Sequence, residues 1–184
     1  MSTQSTGHVY IAVSIDGFIA RLDGSIDWLD PYTGTGEDLG YDCFMESIDG
    51  VVMGRNTFEK ILTFGKWPFD KPVFVLSRHL SEQDVPVDLK SSVRIVSGSP
   101  HEIMAIAAEE GLLRIYVDGG SVIRRFIADG LVEDLVLTRV PILLGRGIGL
   151  FGDGSEVSLQ HVATSTFQSG LTQSTYRVAA ATTR

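Results

Sequence analysis

Ile115-Tyr116-Val117-Asp118-Gly119-Gly120-Ser121-Val122-Ile123 is the stretch around which the chain is organised. Ile115 to Val117 is a short β-branched and aromatic run of the buried-strand type, two glycines follow, and Ser121 to Asp129 reads as a helix. A strand that turns on Gly-Gly into a helix start presents free backbone N–H groups and the positive end of a helix dipole. Glycine also lets another molecule approach the backbone closely. The combination suits a phosphate or pyrophosphate; the alternative is a tight strand-to-helix corner with no ligand. The rest of the chain decides between them.

The pattern repeats upstream in Val51-Val52-Met53-Gly54-Arg55-Asn56-Thr57, where Gly54 leads into a helix to about Leu62. Here Thr57 offers a hydroxyl donor and Arg55 a planar charged fork. A third strand end, Leu76-Ser77-Arg78, would suit a further phosphate. Together the three favour a nucleotide, although each arginine taken singly reads equally as a solvated surface residue.

Around these turns, His8 to Val13 forms a first strand and Ser14 to Asp30 a long loop marked by Asp16-Gly17 and Asp23-Gly24. Glu37 to Ile48 has a helical pattern of apolar residues. Val73 to Leu76, Val93 to Val96 and Leu135 to Val140 are strands, and Ser99-Pro100 caps a helix over His101 to Glu110. Val157 to Phe167 and Gln173 to Ala179 flank Ser169-Gly170 as a closing antiparallel hairpin. Alternating strands and helices predict a mostly parallel sheet with helices on both faces, an antiparallel edge, and ligands at the carboxyl ends of strands.

Composition narrows the function. The 184 residues make one domain, with residues 1–7 expected to be flexible; hydrophobic residues are 43% and charged residues 21%. Net charge is −8, pI is near 4.9, and no basic run occurs, which argues against nucleic acid. Cys43 is the single cysteine, and the four scattered histidines give no zinc spacing. Without a transmembrane-length apolar run or a signal-peptide core, the chain reads as cytoplasmic, with no membrane partner.

In order and spacing, these pieces resemble the dihydrofolate reductase-like superfamily, nearest to the reductase domain of riboflavin biosynthesis and its stand-alone relatives. The resemblance runs from about residue 8 to 178, through Val13-Ser14-Ile15-Asp16-Gly17-Phe18-Ile19-Ala20, Met53-Gly54-Arg55-Asn56-Thr57-Phe58-Glu59, Val75-Leu76-Ser77-Arg78 and Val117-Asp118-Gly119-Gly120. It continues in Gly130-Leu131-Val132-Glu133-Asp134-Leu135 and in Pro141-Ile142-Leu143-Leu144-Gly145-Arg146-Gly147-Ile148-Gly149-Leu150-Phe151, which favours the riboflavin-type branch.

The resemblance implies a three-layer sandwich, NADPH as cofactor and hydride transfer to a small pteridine- or pyrimidinedione-like heterocycle. On it, Gly54, Arg55, Asn56 and Thr57 hold the pyrophosphate together with Gly119, Gly120, Ser121 and Val122, with Leu76 and Val117 at the strand ends beside them. Gly119-Gly120 would be the family's cis peptide. Arg55, Ser77 and Arg78 would meet the 2′-phosphate, and Ala12, Phe18 and Ile19 would line the nicotinamide. Asp38, sixteen residues before Gly54, and Thr138 match a substrate-binding carboxylate and its hydroxyl partner. Glu37 and Asp38 read equally well as acidic residues at a helix start, and Asp42 is the reserve acid. Lys71-Pro72 stands where folate-binding enzymes carry an arginine, and Tyr32 to Gly36 lengthens a loop, so dihydrofolate fits poorly as substrate. No deaminase zinc signature is present, and Lys66 and Lys71 are either substrate-end cations or surface lysines. A homodimer supported by Pro141 to Phe151 is expected. A nucleotide-binding module without catalysis, and a binder of another phosphorylated metabolite, are the other readings.

Overall fold

The computed structural model describes residues 4–152, 154 and 156–179. Its frame is an eight-stranded sheet whose strands, in chain order, are β1 (Thr6–Ser14), β3 (Gly50–Gly54), β4 (Val73–Leu76), β5 (Val93–Val96), β6 (Arg114–Asp118), β7 (Val132–Val140), β9 (Leu159–Thr166) and β10 (Thr172–Val178). Two short strands, β2 (Phe18–Ala20) and β8 (Ile148–Gly149), pair apart from it. The helices are α1 (Tyr41–Glu46), α2 (Arg55–Leu62), α3 (Pro100–Glu109) and α4 (Gly120–Ala128). Spatial order in the large sheet is β5-β4-β3-β6-β1-β7-β10-β9. Every pairing from β5 to β7 is parallel, and β10 runs antiparallel to both β7 and β9, the expected closing hairpin.

Both faces of this sheet are covered, which is why its strands are apolar without alternation. Val52, Ile115 and Val117 face one way, into a core with Ile103, Ile123 and Phe126 of α3 and α4. Val51, Met53 and Tyr116 face the other way, against Phe58 and Ile61 of α2. Successive residues alternate faces, as the two-residue strand period requires. Ser99 caps α3 as expected: its Oγ accepts the Glu102 N–H at 3.3 Å, and the Glu102 carboxylate accepts the Ser99 N–H at 2.7 Å.

Three elements differ from the sequence expectation. The helix expected over Glu37 to Ile48 is only Tyr41–Glu46, because Gly40 takes a left-handed conformation (φ 78°) in front of it. Asp38 accepts the Gly40 N–H at 2.7 Å, and the Glu37 carboxylate instead accepts the Gln168 N–H at 2.6 Å, at the hairpin turn. The loop from Ser14 to Asp30 contains β2 and the start of a 3₁₀ turn, Asp27–Tyr32. A three-residue strand carries too little periodicity to read, and its partner β8 lies far along the chain. Finally, β1 begins at Thr6 and Ser5 is buried, so the stretch expected to be flexible is ordered from Ser5 to Gly7; residues 1–3 lie outside the described residues. In the segment expected to support a dimer, Leu143 is 70% and Phe151 52% exposed.

β3, β6 and β1 are neighbours, yet the chain passes from β1 to β3 before returning to place β6 between them. Their carboxyl ends therefore open a crevice at a switch in strand order, where open α/β sheets bind ligands.

Candidate functional site

The two glycine turns meet at that crevice. β3 ends at Gly54 and passes directly into α2; β6 ends at Asp118, and Gly119 (φ 88°, ψ 127°) turns the chain into α4. Neither helix start is capped by a side chain, so first-turn N–H groups of both are left without a side-chain partner where their residues line the crevice. The turns are packed to glycine dimensions. A Cβ on Gly119 would stand 2.5 Å from Thr57 Oγ1, and one on Gly54 would stand 3.2 Å from Val122 Cγ2. Two converging helix starts, with Arg55, Thr57 and Ser121 among the walls, fit a diphosphate.

The expected cis peptide is absent: among the described residues every peptide bond is trans. Gly119 makes the turn through its positive φ, a region open to glycine and rarely to other residues.

A two-segment lid closes one side. Asp16 holds its segments together, accepting the Leu144 N–H at 3.1 Å through Oδ1 and the Gly145 N–H at 2.7 Å through Oδ2. Ser14 Oγ donates to Asp16 at 2.6 Å and accepts the Phe18 N–H at 2.9 Å. These donors hold the Asp16 carboxyl below its ordinary pKa, the Ser14 hydroxyl most of all. β2 pairs with β8, and the Leu150 N–H donates to the Gly17 carbonyl at 3.0 Å. From α4, Arg124 Nη1 donates to the carbonyls of Gly149 at 2.6 Å and Leu150 at 3.2 Å. The Ile19 side chain lies directly over Gly120, where a Cβ would come within 2.6 Å of its Cδ1. The lid is thus fastened to the helix whose start forms one side of the crevice.

Under the lid lies a cleft of about 700 Å³. Of the residues expected to bind cofactor, Ala12, Ile19, Gly54, Arg55, Asn56 and Thr57 form its walls, as do Leu76, Gly119, Gly120, Ser121 and Val122. Phe18 and Val117 do not: Val117 is fully buried in the core behind the turn, and Phe18 packs in the lid against Gly147. Ser77 and Arg78 line a separate hollow of about 270 Å³ beyond the end of β4, with Leu80, Glu82 and Val96. Ser77 Oγ accepts the N–H groups of His79 and Leu80 at 3.1 and 3.0 Å, while the exposed Arg78 has no hydrogen-bond or ion-pair partner among the described residues.

The expected acid and its hydroxyl partner are not on the walls. Asp38 is exposed, and its resolved contact is the turn to Gly40. Thr138 is buried behind the cleft, with its Oγ1 3.0 Å from Gln173 Nε2 of β10. The same Gln173 nitrogen reaches Tyr10 Oη at 2.9 Å and the Leu39 carbonyl at 3.1 Å. Lys66, Lys71 and Asp42 are also absent from the walls, and Lys60 is present.

Asp118, quoted in the sequence motif without a role, is the carboxylate in the cleft. Burial pushes its pKa up from 3.8 to about 6, offset in part by the Gly119 N–H, which donates to Oδ1 at 2.7 Å. Three tyrosines share the wall with it. Burial, and next the Asp118 charge, raise the pKa of Tyr41 to about 12 and hold that of Tyr116 well above its ordinary value. Burial raises that of Tyr10. Tyr10 donates to the Leu39 carbonyl at 2.8 Å and Tyr116 to the Tyr10 carbonyl at 3.0 Å. The sequence signal for Asp118 was its place: a carboxylate at the last residue of a central strand, directly before the glycine turn.

Comparison with known proteins agrees with this architecture. Residues 6–173 match the family model for the RibD C-terminal domain. The uncharacterized Bacillus subtilis protein YwjB is 36% identical over 148 residues, covering 78% of this chain and 80% of its own. The crystal structure of a Shewanella sp. PV-4 protein named for riboflavin biosynthesis superposes with a TM-score of 0.88 at 39% identity, over 95% of this chain and 99% of that one. Dihydrofolate reductase from Enterococcus faecalis, complexed with NADP(H), shares the fold, with a TM-score of 0.62 at 20% identity over 95% of this chain and 97% of that one. The chain has the dihydrofolate reductase-like α/β fold and belongs to the RibD C-terminal domain family.

Proposed function

We propose that the protein is an NADPH-dependent reductase of a small heterocycle of the pteridine or pyrimidinedione type. The observation that carries this is one cleft holding two uncapped helix starts, packed to glycine dimensions, beside a carboxylate of raised pKa. The helix starts with Arg55, Thr57 and Ser121 would bind the diphosphate. Arg78, without a partner among the described residues in the separate hollow beyond β4, would meet a 2′-phosphate, and Ala12 and Ile19 would flank the nicotinamide. NADPH, when bound, supplies the hydride.

The chain supplies the rest. The lid held by Asp16 and Arg124 keeps water from the reacting ring. Asp118, with a pKa near 6, would retain a proton in a fraction of molecules near neutrality and give it to a ring nitrogen of the substrate. With the hydride that NADPH would supply, this proton would complete the two-electron reduction of a C=N bond and leave Asp118 ionised.

Fluorescence titration tests the reading first, with NADPH, NADH and an Arg55→Ala/Arg78→Ala variant. The expected result is micromolar NADPH binding that is at least tenfold weaker for NADH and for the variant. Folded wild-type protein that fails to bind NADPH would overturn the proposal.

A further inference from the structure

Arg124 stands one turn into α4, half-buried, and its guanidinium reaches back to the glycine turn. Helix side chains lean toward the N-terminus, so a residue one turn along can cover the start. A Cβ on Gly120 would stand 3.4 Å from Arg124 Nη1, 3.5 Å from the Gly149 carbonyl oxygen and 2.6 Å from Ile19 Cδ1. The guanidinium, two lid residues and the first residue of α4 therefore meet at one point. Nη1 is committed to the lid, with the carbonyls of Gly149 and Leu150 as its acceptors. The other donors of the guanidinium, on Nη2 and Nε, have no hydrogen-bond partner among the described residues.

This cation also has no counter-charge. Arg21, Arg55 and Arg94 each pair with a carboxylate, of Asp27, Glu59 and Glu110, whereas none among the described residues pairs with Arg124. No acidic residue stands in the first turn of α4, where the helix dipole is already positive. Asp118 does not fill the gap: its pKa is set by burial, the Gly119 N–H and the Tyr116 hydroxyl, with nothing from Arg124. A half-buried guanidinium with spare donors, beside a positive helix end and lining the crevice, calls for an anion.

We infer that Arg124 is an anion ligand that couples binding at the glycine turn to closure of the lid, holding the lid carbonyls through Nη1 and the anion through its remaining N–H groups. The inference rests on the reductase reading only in taking that anion to be the diphosphate of a nucleotide. A planar fork can hold two partners at once in a fixed geometry, which a lysine ammonium cannot. An anion fixes the guanidinium in place, and the lid carbonyls are fixed with it. Without one, two neutral carbonyls hold the cation against the repulsion of the helix start. Such coupling is reciprocal: the closed lid strengthens anion binding by the factor by which the anion strengthens closure.

Amide exchange reads the lid at Phe18, Leu144, Gly145 and Leu150, whose N–H groups bond within it, with Val52 and Ile115 as core controls. It is measured for wild type, Arg124→Gln and Arg124→Lys, each alone and with inorganic pyrophosphate or NADPH at concentrations set by calorimetric titration. Either ligand is expected to slow lid exchange about tenfold in wild type and less than about twofold in the variants, with core exchange unchanged. Asp16→Ala, which opens the lid without touching the glycine turn, is expected to bind both ligands about tenfold more weakly. This last arm decides the coupling even if Arg124→Gln binds neither ligand. A lid indifferent to bound ligand in wild type, equal slowing in either Arg124 variant, or unchanged affinity in Asp16→Ala would each overturn the inference. Pyrophosphate acting through Arg124 while NADPH fails to bind would sink the reductase reading and leave the coupling standing. NADPH bound beneath an indifferent lid would do the reverse, and folded wild type that binds neither ligand would overturn both.

Discussion

Thr57 Oγ1 occupies the space a side chain on Gly119 would need: a Cβ there would lie 2.5 Å from it. The start of α2 thus touches the turn into α4, and two helix starts separated by more than sixty residues of chain form one cradle. Gly119→Ala meets two penalties together, this overlap and a backbone at φ 88°. We expect a loss of about 1–3 kcal/mol of stability and at least a tenfold loss of NADPH affinity. Thermal unfolding and the nucleotide titration measure the two effects separately.

Asp118 should carry opposite signs in stability and activity. Its pKa is about 6 in the folded protein against 3.8 ordinarily, so the folded state binds the proton more tightly. Stability from this group is full below about pH 4 and falls as pH rises toward 6. The penalty above pH 6 is at most about 3 kcal/mol, and smaller to the extent that solvent reaches the carboxyl. Asp118→Asn should therefore unfold at a higher temperature than wild type at pH 8 and at an equal one near pH 4. Its turnover should be lower by about 10²–10⁴ and lose the rise that wild type shows as pH falls through 6. A destabilised variant at pH 8, or an unchanged pH profile, would remove Asp118 from the proton-transfer role.

Much of this architecture was readable because it rests on strong local signals. Gly54 and Gly119-Gly120 each end an apolar run and open an amphipathic one, and Ser99-Pro100 with Glu102 is a complete capping signature. What escaped was set by distance in sequence. β2 exists because β8 pairs with it from 128 residues away, and Glu37 leaves its expected helix for the hairpin turn at Gln168. Thr138 was correctly placed on its strand, but which way its hydroxyl was engaged depended on Gln173 of β10. Asp118 was in plain view within the motif. Its chemistry depended on burial beside Tyr116 and Tyr41, which no local pattern reports.

The lid should open when Asp16 is removed. Its two oxygens accept the Leu144 and Gly145 N–H groups, and its link to Ser14 orients the hydroxyl that accepts the Phe18 N–H. In Asp16→Ala, amide exchange at Phe18, Leu144 and Gly145 should quicken at least tenfold while that of Val52 and Ile115 in the core stays unchanged. The anchor is an ionised carboxylate of lowered pKa. In wild type it should therefore hold above the ordinary aspartate range and release only as pH falls below it. Exchange that quickens uniformly across the chain would mean global destabilisation instead of lid release.

Asp38 provides the sharpest contrast with Asp118: its charge reaches Tyr10, whereas that of Asp118 reaches Tyr41 and Tyr116. Asp38 is exposed and its Oδ1 accepts a backbone N–H that closes the turn at Gly40. An asparagine side-chain oxygen accepts that same hydrogen bond, so Asp38→Asn preserves the turn. It deletes only the charge, which acts on Tyr10 as the smallest of several influences on that phenol. Turnover in Asp38→Asn should remain within about threefold of wild type, with an unmoved pH profile, while Asp118→Asn loses orders of magnitude. The pair of variants assayed on one substrate decides which carboxylate handles the proton. A collapse of kcat in Asp38→Asn with Asp118→Asn nearly intact would transfer the role to Asp38. It would also require the segment from Glu37 to Gly40 to swing toward the cleft when substrate binds.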